Sequence, residues 1–165
     1  MNLHEIFDYY YDRIYSFTLV RVGNVHDAED IASNVFVKVT EKQHTYNPAK
    51  AAFSTWIFTI AINEIKMFYR KRRKNECSIE SMTELVDQVV LDEDLMRKDE
   101  RILLFHVINK LDEKQKNAIL LKYFGGLSCR QIAEFLGKSE SNTGNILQNA
   151  RTALKKELMQ FYKIS

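Results

Sequence analysis

Residues 53–74, FSTWIFTIAINEIKMFYRKRRK, carry two patterns in one run. Phe53, Trp56, Ile57, Ile60 and Ala61 recur at the i, i+3, i+4 rhythm of a buried helical stripe. Six of the last nine residues are basic: Lys66, Arg70, Lys71, Arg72, Arg73 and Lys74. The spacing predicts one helix, anchored in a core at its start and carrying dense positive charge at its end. A fixed position and a phosphate-attracting charge are what a nucleic-acid-binding helix needs. A solvated basic terminus that merely complements the helix dipole is the plainer reading.

The rest of the chain is built of the same material. It has 165 residues, 5 Gly and 1 Pro, so few breakers interrupt its segments and helix formers dominate. This composition predicts an all-α protein with one ordinary core or two small ones. The net charge is only +2, but it is distributed unevenly. Residues 64–74 hold six basic side chains and one acidic; residues 75–100 hold nine acidic and two basic; residues 127–165 hold six basic and three acidic. Two positive modules joined by a negative connector fit that order. The two cysteines, Cys77 and Cys129, form no CxxC unit and point to a reduced, cytosolic protein. The acidic, aromatic N-terminus MNLHEIFDYYYD has no signal-peptide pattern, and no apolar run approaches a membrane span.

Upstream of the opening stretch, residues 4–22 and 26–41 read as helices, with Gly23-Asn24 between them and Asp27 as the cap of the second. Ala28, Ile31, Val35, Phe36 and Val39 give its buried face, while Asp27, Asp30 and Asn34 fall on a polar one. Residues 42–50, with Asn47-Pro48, are loop, and residues 51–74 form the third helix. Residues 1–75 then make an N-terminal bundle of three to four helices, 76–92 an acidic linker, and 93–165 a four-helix C-terminal domain. In the latter, Asp112 caps 113–123 and Gly125-Gly126 stops it. Ser128 with Gln131 makes a capping box, and Ser139 caps the last helix.

Residues 128–154, SCRQIAEFLGKSESNTGNILQNARTAL, have helix-turn-helix spacing. The small Ala133 lets two helices cross closely, Gly137-Lys138 makes the turn, and Thr143, Ile146 and Leu147 face inward. The second helix then presents Glu140, Ser141, Asn142 and Asn145 to a major groove, with Arg130, Lys138, Arg151, Lys155 and Lys156 nearby. A plain helical hairpin in a bundle has the same apolar spacing. His4, His26, His44 and His106 lack metal-ligand spacing, and no nucleophile motif or glycine-rich phosphate loop is present. The expectation is no catalytic site, no cofactor and no metal.

These pieces together resemble the extracytoplasmic-function (ECF) group of bacterial sigma-70 type RNA polymerase sigma factors, over almost the whole chain. DAEDIASNVFVKV at 27–39 is similar to the helix that docks on the β′ clamp helices of core polymerase. FSTWIFTIAIN at 53–63, followed by Arg70 and the basic run, resembles the segment that melts and reads the −10 element. Residues 111–156 resemble the domain that reads the −35 element.

The resemblance implies a transcription initiation factor, not an enzyme, that binds core polymerase through its β′ and β subunits and binds promoter DNA. It implies polymerase contacts at Asp27, Asp30 and Asn34. The −10 region would comprise Tyr46, Asn47, Trp56, Asn63, Arg70, Lys71, Arg72 and Arg73, with loop 43–50 holding a flipped base. The −35 region would comprise Arg130, Lys138, Glu140, Ser141, Asn142, Asn145, Arg151 and Lys155. It further implies an anti-sigma partner, often membrane-bound, that would tether an otherwise cytoplasmic chain to the inner membrane. Ser33 and Met67 depart from the family pattern, as do Gly144, Ile146 and Asn149, where basic residues are common. Fewer phosphate contacts predict weaker, less salt-sensitive −35 binding. The competing readings are a stand-alone helix-turn-helix regulator and a degenerate sigma-like interaction bundle.

Overall fold

The computed structural model describes residues 2–75 and 98–164, and every regular element among them is helical. In chain order these are α1 (Leu3–Val22), α2 (Val25–Lys42), a single 3₁₀ turn (Gln43–Thr45), α3 (Phe53–Asn75), α4 (Lys98–Asn109), α5 (Glu113–Tyr123), α6 (Cys129–Leu136) and α7 (Glu140–Ile164). The proposed linker 76–92 and the first residues, 93–97, of the proposed C-terminal domain lie outside the described residues.

The ends of the helices follow from local chemistry. Asn2 and Glu5 form a reciprocal capping box at α1, with Asn2 Oδ1 accepting from the Glu5 N–H at 2.9 Å and Glu5 Oε2 from the Asn2 N–H at 2.8 Å. Gly23 ends α1 in the left-handed region at φ +73, which costs glycine nothing. Asn24 is then extended and caps α2 by accepting from the Asp27 N–H at 3.0 Å. The cap expected at Asp27 is therefore at Asn24. Because Gly23 turns the chain so sharply, the next helix starts two residues later, and Asp27 lies inside its first turn. Asp112, Ser128 and Ser139 cap α5, α6 and α7 as their spacing predicts.

In the N-terminal half, α1, α2 and α3 bury Ile14, Phe17, Ala28, Ala32, Val35, Ile57, Phe58, Ala61 and Ile65 completely or nearly so. Phe17 meets Phe58 edge to face at 5.3 Å between centroids. Of the stripe expected on α3, Ile57 and Ala61 are buried, whereas Phe53, Trp56 and Ile60 are half-buried at its rim. In the C-terminal half, α5, α6 and α7 pack around Leu120, Leu121, Ile132, Leu147 and Ala150, and α4 adds Val107 and Ile108. Ala133 and Thr143 are buried at the helix-turn-helix crossing as predicted.

The two halves touch. Arg21 at the end of α1 donates to Asn117 Oδ1 on α5 and to Glu113 Oε2 at 3.1 Å. Phe105 of α4 lies where a side chain at Gly23 would stand, 2.8 Å from the position of a Cβ. Gln131 Nε2 of α6 donates to Ser54 Oγ at the start of α3 at 2.9 Å.

Candidate nucleic-acid and polymerase interfaces

On α2, Asp30 and Asn34 are exposed and one turn apart, so their side chains share a face. Asp27, a turn earlier, is half-buried and has contacts within the chain. Beside this row, Leu3, Phe7, Phe36 and Val37 line an open apolar groove of about 600 Å³. The spacing of α1 places Phe7 among its apolar packing positions, yet Phe7 and Leu3 are exposed, because α1 alone gives no hint of which residues α2 leaves uncovered. One turn beyond Asn34 on α2, Lys38 pairs with the buried carboxylate of Glu64 on α3 and fixes the two helices against each other.

Loop 43–50 and the start of α3 make an aromatic cluster. Tyr46 lies 5.2 Å from Phe53 and 5.4 Å from Trp56, and Phe53 lies 5.3 Å from Trp56, centroid to centroid. The Tyr46 hydroxyl donates to the Ala51 carbonyl at 3.1 Å, and Asn47 Oδ1 accepts from the Ala49 N–H at 2.9 Å. Both side chains thus hold the loop's shape, leaving the Asn47 amide N–H group and the ring faces for anything that enters. Trp56, Asn63 and Arg70 are spaced by seven and so follow one face of α3. Arg70, Lys71 and Arg73 are exposed, while Arg72 is half-buried, with its guanidinium 5.9 Å from the Phe68 ring centroid.

In the helix-turn-helix, Gly137 adopts φ +63 between α6 and α7, and Lys138, Glu140, Ser141, Asn142 and Asn145 are all exposed. Arg130 is exposed on α6. Arg151 and Lys155 do not join this group. They border an apolar groove of about 430 Å³ between α5 and α7, with Tyr123, Met159 and Tyr162 on its walls. Arg151 Nε donates to the Tyr123 hydroxyl at 2.9 Å. Gly144 has open space where a side chain would stand.

Burial pushes up the phenols of Tyr10, packed on Phe53 of the aromatic cluster, and of Tyr11, stacked on Phe7. Burial pushes the Tyr69 phenol up, against the pull of Arg21 and Arg72. Burial and the neighbouring Arg21 hold Lys116 below the usual lysine range, only partly offset by Glu113. No cluster of metal-binding side chains occurs among the described residues, and no described helix is long and apolar enough to cross a membrane.

Among the described residues every regular element is helical, and a basic helix beside an aromatic loop with a separate helix-turn-helix is the make-up of a two-part DNA-binding protein. Residues 6–75 match the family model "Sigma-70 region 2" and residues 101–154 match "Sigma-70, region 4". The chain is 31% identical over 164 residues to the ECF RNA polymerase sigma factor SigW of Bacillus subtilis, covering 93% of this chain and 87% of the relative. It is 31% identical over 156 residues to the ECF RNA polymerase sigma factor RpoE of Cereibacter sphaeroides, covering 91% and 81%. Its fold is similar to that of the sigma factor RpoE of Bartonella quintana, solved with the anti-sigma factor NepR, with TM-score 0.70, 20% identity, and 94% and 96% of the two chains covered. The chain belongs to the ECF RNA polymerase sigma factors. Its function is to direct core polymerase to promoters and assist opening of the −10 element.

Proposed function

We propose that the three surfaces divide this work. The exposed Asp30–Asn34 row of α2 docks on a basic face of the β′ clamp helices, with Asp27 supporting it from the same helix. The aromatic cluster of Tyr46, Phe53 and Trp56 receives a base flipped from the −10 element, since ring faces stack on any base. Asn63, Arg70, Lys71, Arg72 and Arg73 carry the adjoining strand by its phosphates. Glu140, Ser141, Asn142 and Asn145 enter the major groove at −35, flanked by Arg130 and Lys138. Arg151 and Lys155 serve the apolar groove beside them, which suits an amphipathic helix of the β subunit. The chain makes and breaks no bond itself.

The observation that carries this reading is the shared face of Trp56, Asn63 and Arg70 on α3. One rigid helix there offers a stacking ring, an amide and a cation in line. An anti-sigma protein, like the NepR bound to the Bartonella quintana sigma factor, is the natural negative partner, and the chain would be cytoplasmic except where such a partner is membrane-bound. The direct test is transcription in vitro with core polymerase over a library of randomised promoters. Specific initiation at one pair of elements is expected. Core binding without initiation would favour a partner-binding bundle, and DNA binding without core would favour a stand-alone regulator.

A further inference from the structure

We propose that the cleft between α3, α4 and α5 is a binding site for an oligophosphate, a short chain of linked phosphates either free or carried by a nucleotide. The cleft has a volume of about 1230 Å³. Ordinary small-molecule pockets hold roughly 300–1,000 Å³, so a single phosphate leaves most of this one empty. Six cations line it, against the one carboxylate of Glu113. Four of them, Lys66, Arg70, Arg73 and Lys74, stand at i, i+4, i+7 and i+8 of α3, which is one face of the helix. All four are exposed, and no carboxylate among the described residues pairs with them. Like charges at this spacing repel one another and cost the helix stability unless an anion meets them.

The opposite wall distinguishes this cleft from a plain basic helix end. It brings in Arg21 from α1 and Lys116 from α5, whose side chains are only 5% and 10% exposed. Buried cations are ordinarily matched by a carboxylate each. Here Glu113 serves both, at 3.1 Å from Arg21 and 3.6 Å from Lys116, and its own side chain is 63% exposed. One positive charge is therefore left over inside the cleft. Its effect reaches Lys116, which burial and Arg21 hold below the usual lysine range. A perturbed cation in a cleft marks a place where a ligand of opposite charge gains most.

The chemistry of the walls selects the ligand. The planar forks of Arg70 and Arg73 match phosphate oxygens two at a time, and Lys66, Lys74 and Lys116 add point charges. An oligophosphate concentrates several charges along a short chain, so it can meet α3 and Lys116 together, whereas orthophosphate meets one wall only. Tyr69 and Phe105 place aromatic surface beside the cations, where a nucleotide base has something to stack on. A promoter strand carried on α3 uses Arg70 and Arg73 but has no need of Lys116. The oligophosphate site goes beyond that reading and does not depend on it. Because its cations come from α1, α3 and α5, an occupant binds the folded chain and not the unfolded one, and stabilises it by mass action.

The test is isothermal titration calorimetry on the full chain, without divalent cations and at about 0.1 M salt, where long-range attraction is largely screened. The probes are sodium tripolyphosphate, ATP and orthophosphate. Tripolyphosphate is expected to bind once per chain and at least tenfold more tightly than orthophosphate. ATP binding more tightly than tripolyphosphate identifies a nucleotide as the source, and equal or weaker binding a free phosphate chain; either supports the site. No binding of tripolyphosphate or ATP, or orthophosphate binding as well as they do, would overturn it. Lys116→Met and Arg73→Gln, each checked for folding by circular dichroism, are expected to weaken tripolyphosphate binding at least fivefold. Lys42→Met removes the same charge from an exposed position at the end of α2, outside the cleft, and is expected to change it less than twofold. Equal losses in all three variants would show diffuse attraction to a basic chain and would overturn the site. Tripolyphosphate at about a hundred times its Kd should also raise Tm by roughly 5 °C or more. An unchanged Tm would mean that the unfolded chain binds equally well, and the site would be overturned.

Discussion

Arg21 and Asn117, 96 positions apart in the chain, are joined by a hydrogen bond between side chains that are both buried. Neither residue belongs to a recognisable motif. A buried guanidinium keeps its charge, so it needs acceptors wherever it is placed. Replacing Asn117 by Leu leaves Arg21 with Glu113 alone and a donor facing an apolar group. The expected cost is about 1–3 kcal/mol. Urea titration followed by circular dichroism checks it, and Asn117→Asp, which restores an acceptor, should recover most of the loss.

Lys116 is the converse case, a buried cation beside another cation. Burial and Arg21 lower its folded-state pKa, so the unfolded chain binds a proton more readily. The contribution of this group to stability therefore rises with pH as pH climbs toward the ordinary lysine value of 10.5. Tyr69, with its pKa raised by burial, runs the other way, and its contribution is lost as pH rises past 10.0. Lys116→Met should remove the lysine term alone. Its Tm at neutral pH is expected to lie about 3 °C above that of the unaltered chain, for roughly 1 kcal/mol. The gap should narrow as pH approaches the lysine range. Melting curves at several pH values below 10 check both points.

Asp30 projects from α2 into solvent and is not needed for the core. Asp30→Arg should leave the melting temperature within about 2 °C of the unaltered chain, since surface substitutions usually cost little. Affinity for core polymerase should fall at least tenfold if this carboxylate meets a basic partner surface. A pull-down titration against core distinguishes the two effects.

Gly144 sits in helix α7 with nothing within 4 Å of a side chain placed there. Gly144→Ala should stabilise the helix by about 0.5–1 kcal/mol. Gly144→Lys should add a phosphate contact at the reading end of α7, tightening −35 duplex binding and steepening the log–log salt dependence by about 0.9. Fluorescence anisotropy at several salt concentrations measures both. An unchanged slope would place residue 144 away from the DNA backbone.

Much of this was legible along the chain because its causes are local. The periodicity of Ile57 and Ala61 identifies the buried side of α3. Ser128 with Gln131 marks the start of α6, and Ile132, Thr143 and Leu147 mark the buried helix-turn-helix core. The α2 cap was misplaced at Asp27 because Asp27 and Asn24 are both good acceptors. Only the turn at Gly23 shows which of them precedes the helix. Arg151 and Lys155 lie further along α7 than the recognition residues and border the groove at Tyr123, a neighbourhood that only the packing of α5 on α7 creates. The apolar groove of Leu3, Phe7 and Val37 depends on the packing angle of α1 on α2, which no single helix encodes.

The sequence by itself determined the helices, the caps at Asp112, Ser128 and Ser139, the basic end of α3 and, through the family resemblance, the two-part sigma architecture. Each rests on a spacing or a capping interaction within a few residues. Tertiary structure alone decided that Arg21 is buried, that Gln131 meets Ser54, that Gly23 makes room for Phe105 and that Lys116 loses basicity. Those facts arise where the two halves of the chain meet. Contacts between residues some seventy to a hundred positions apart leave no period in sequence, because they are set by how finished helices pack.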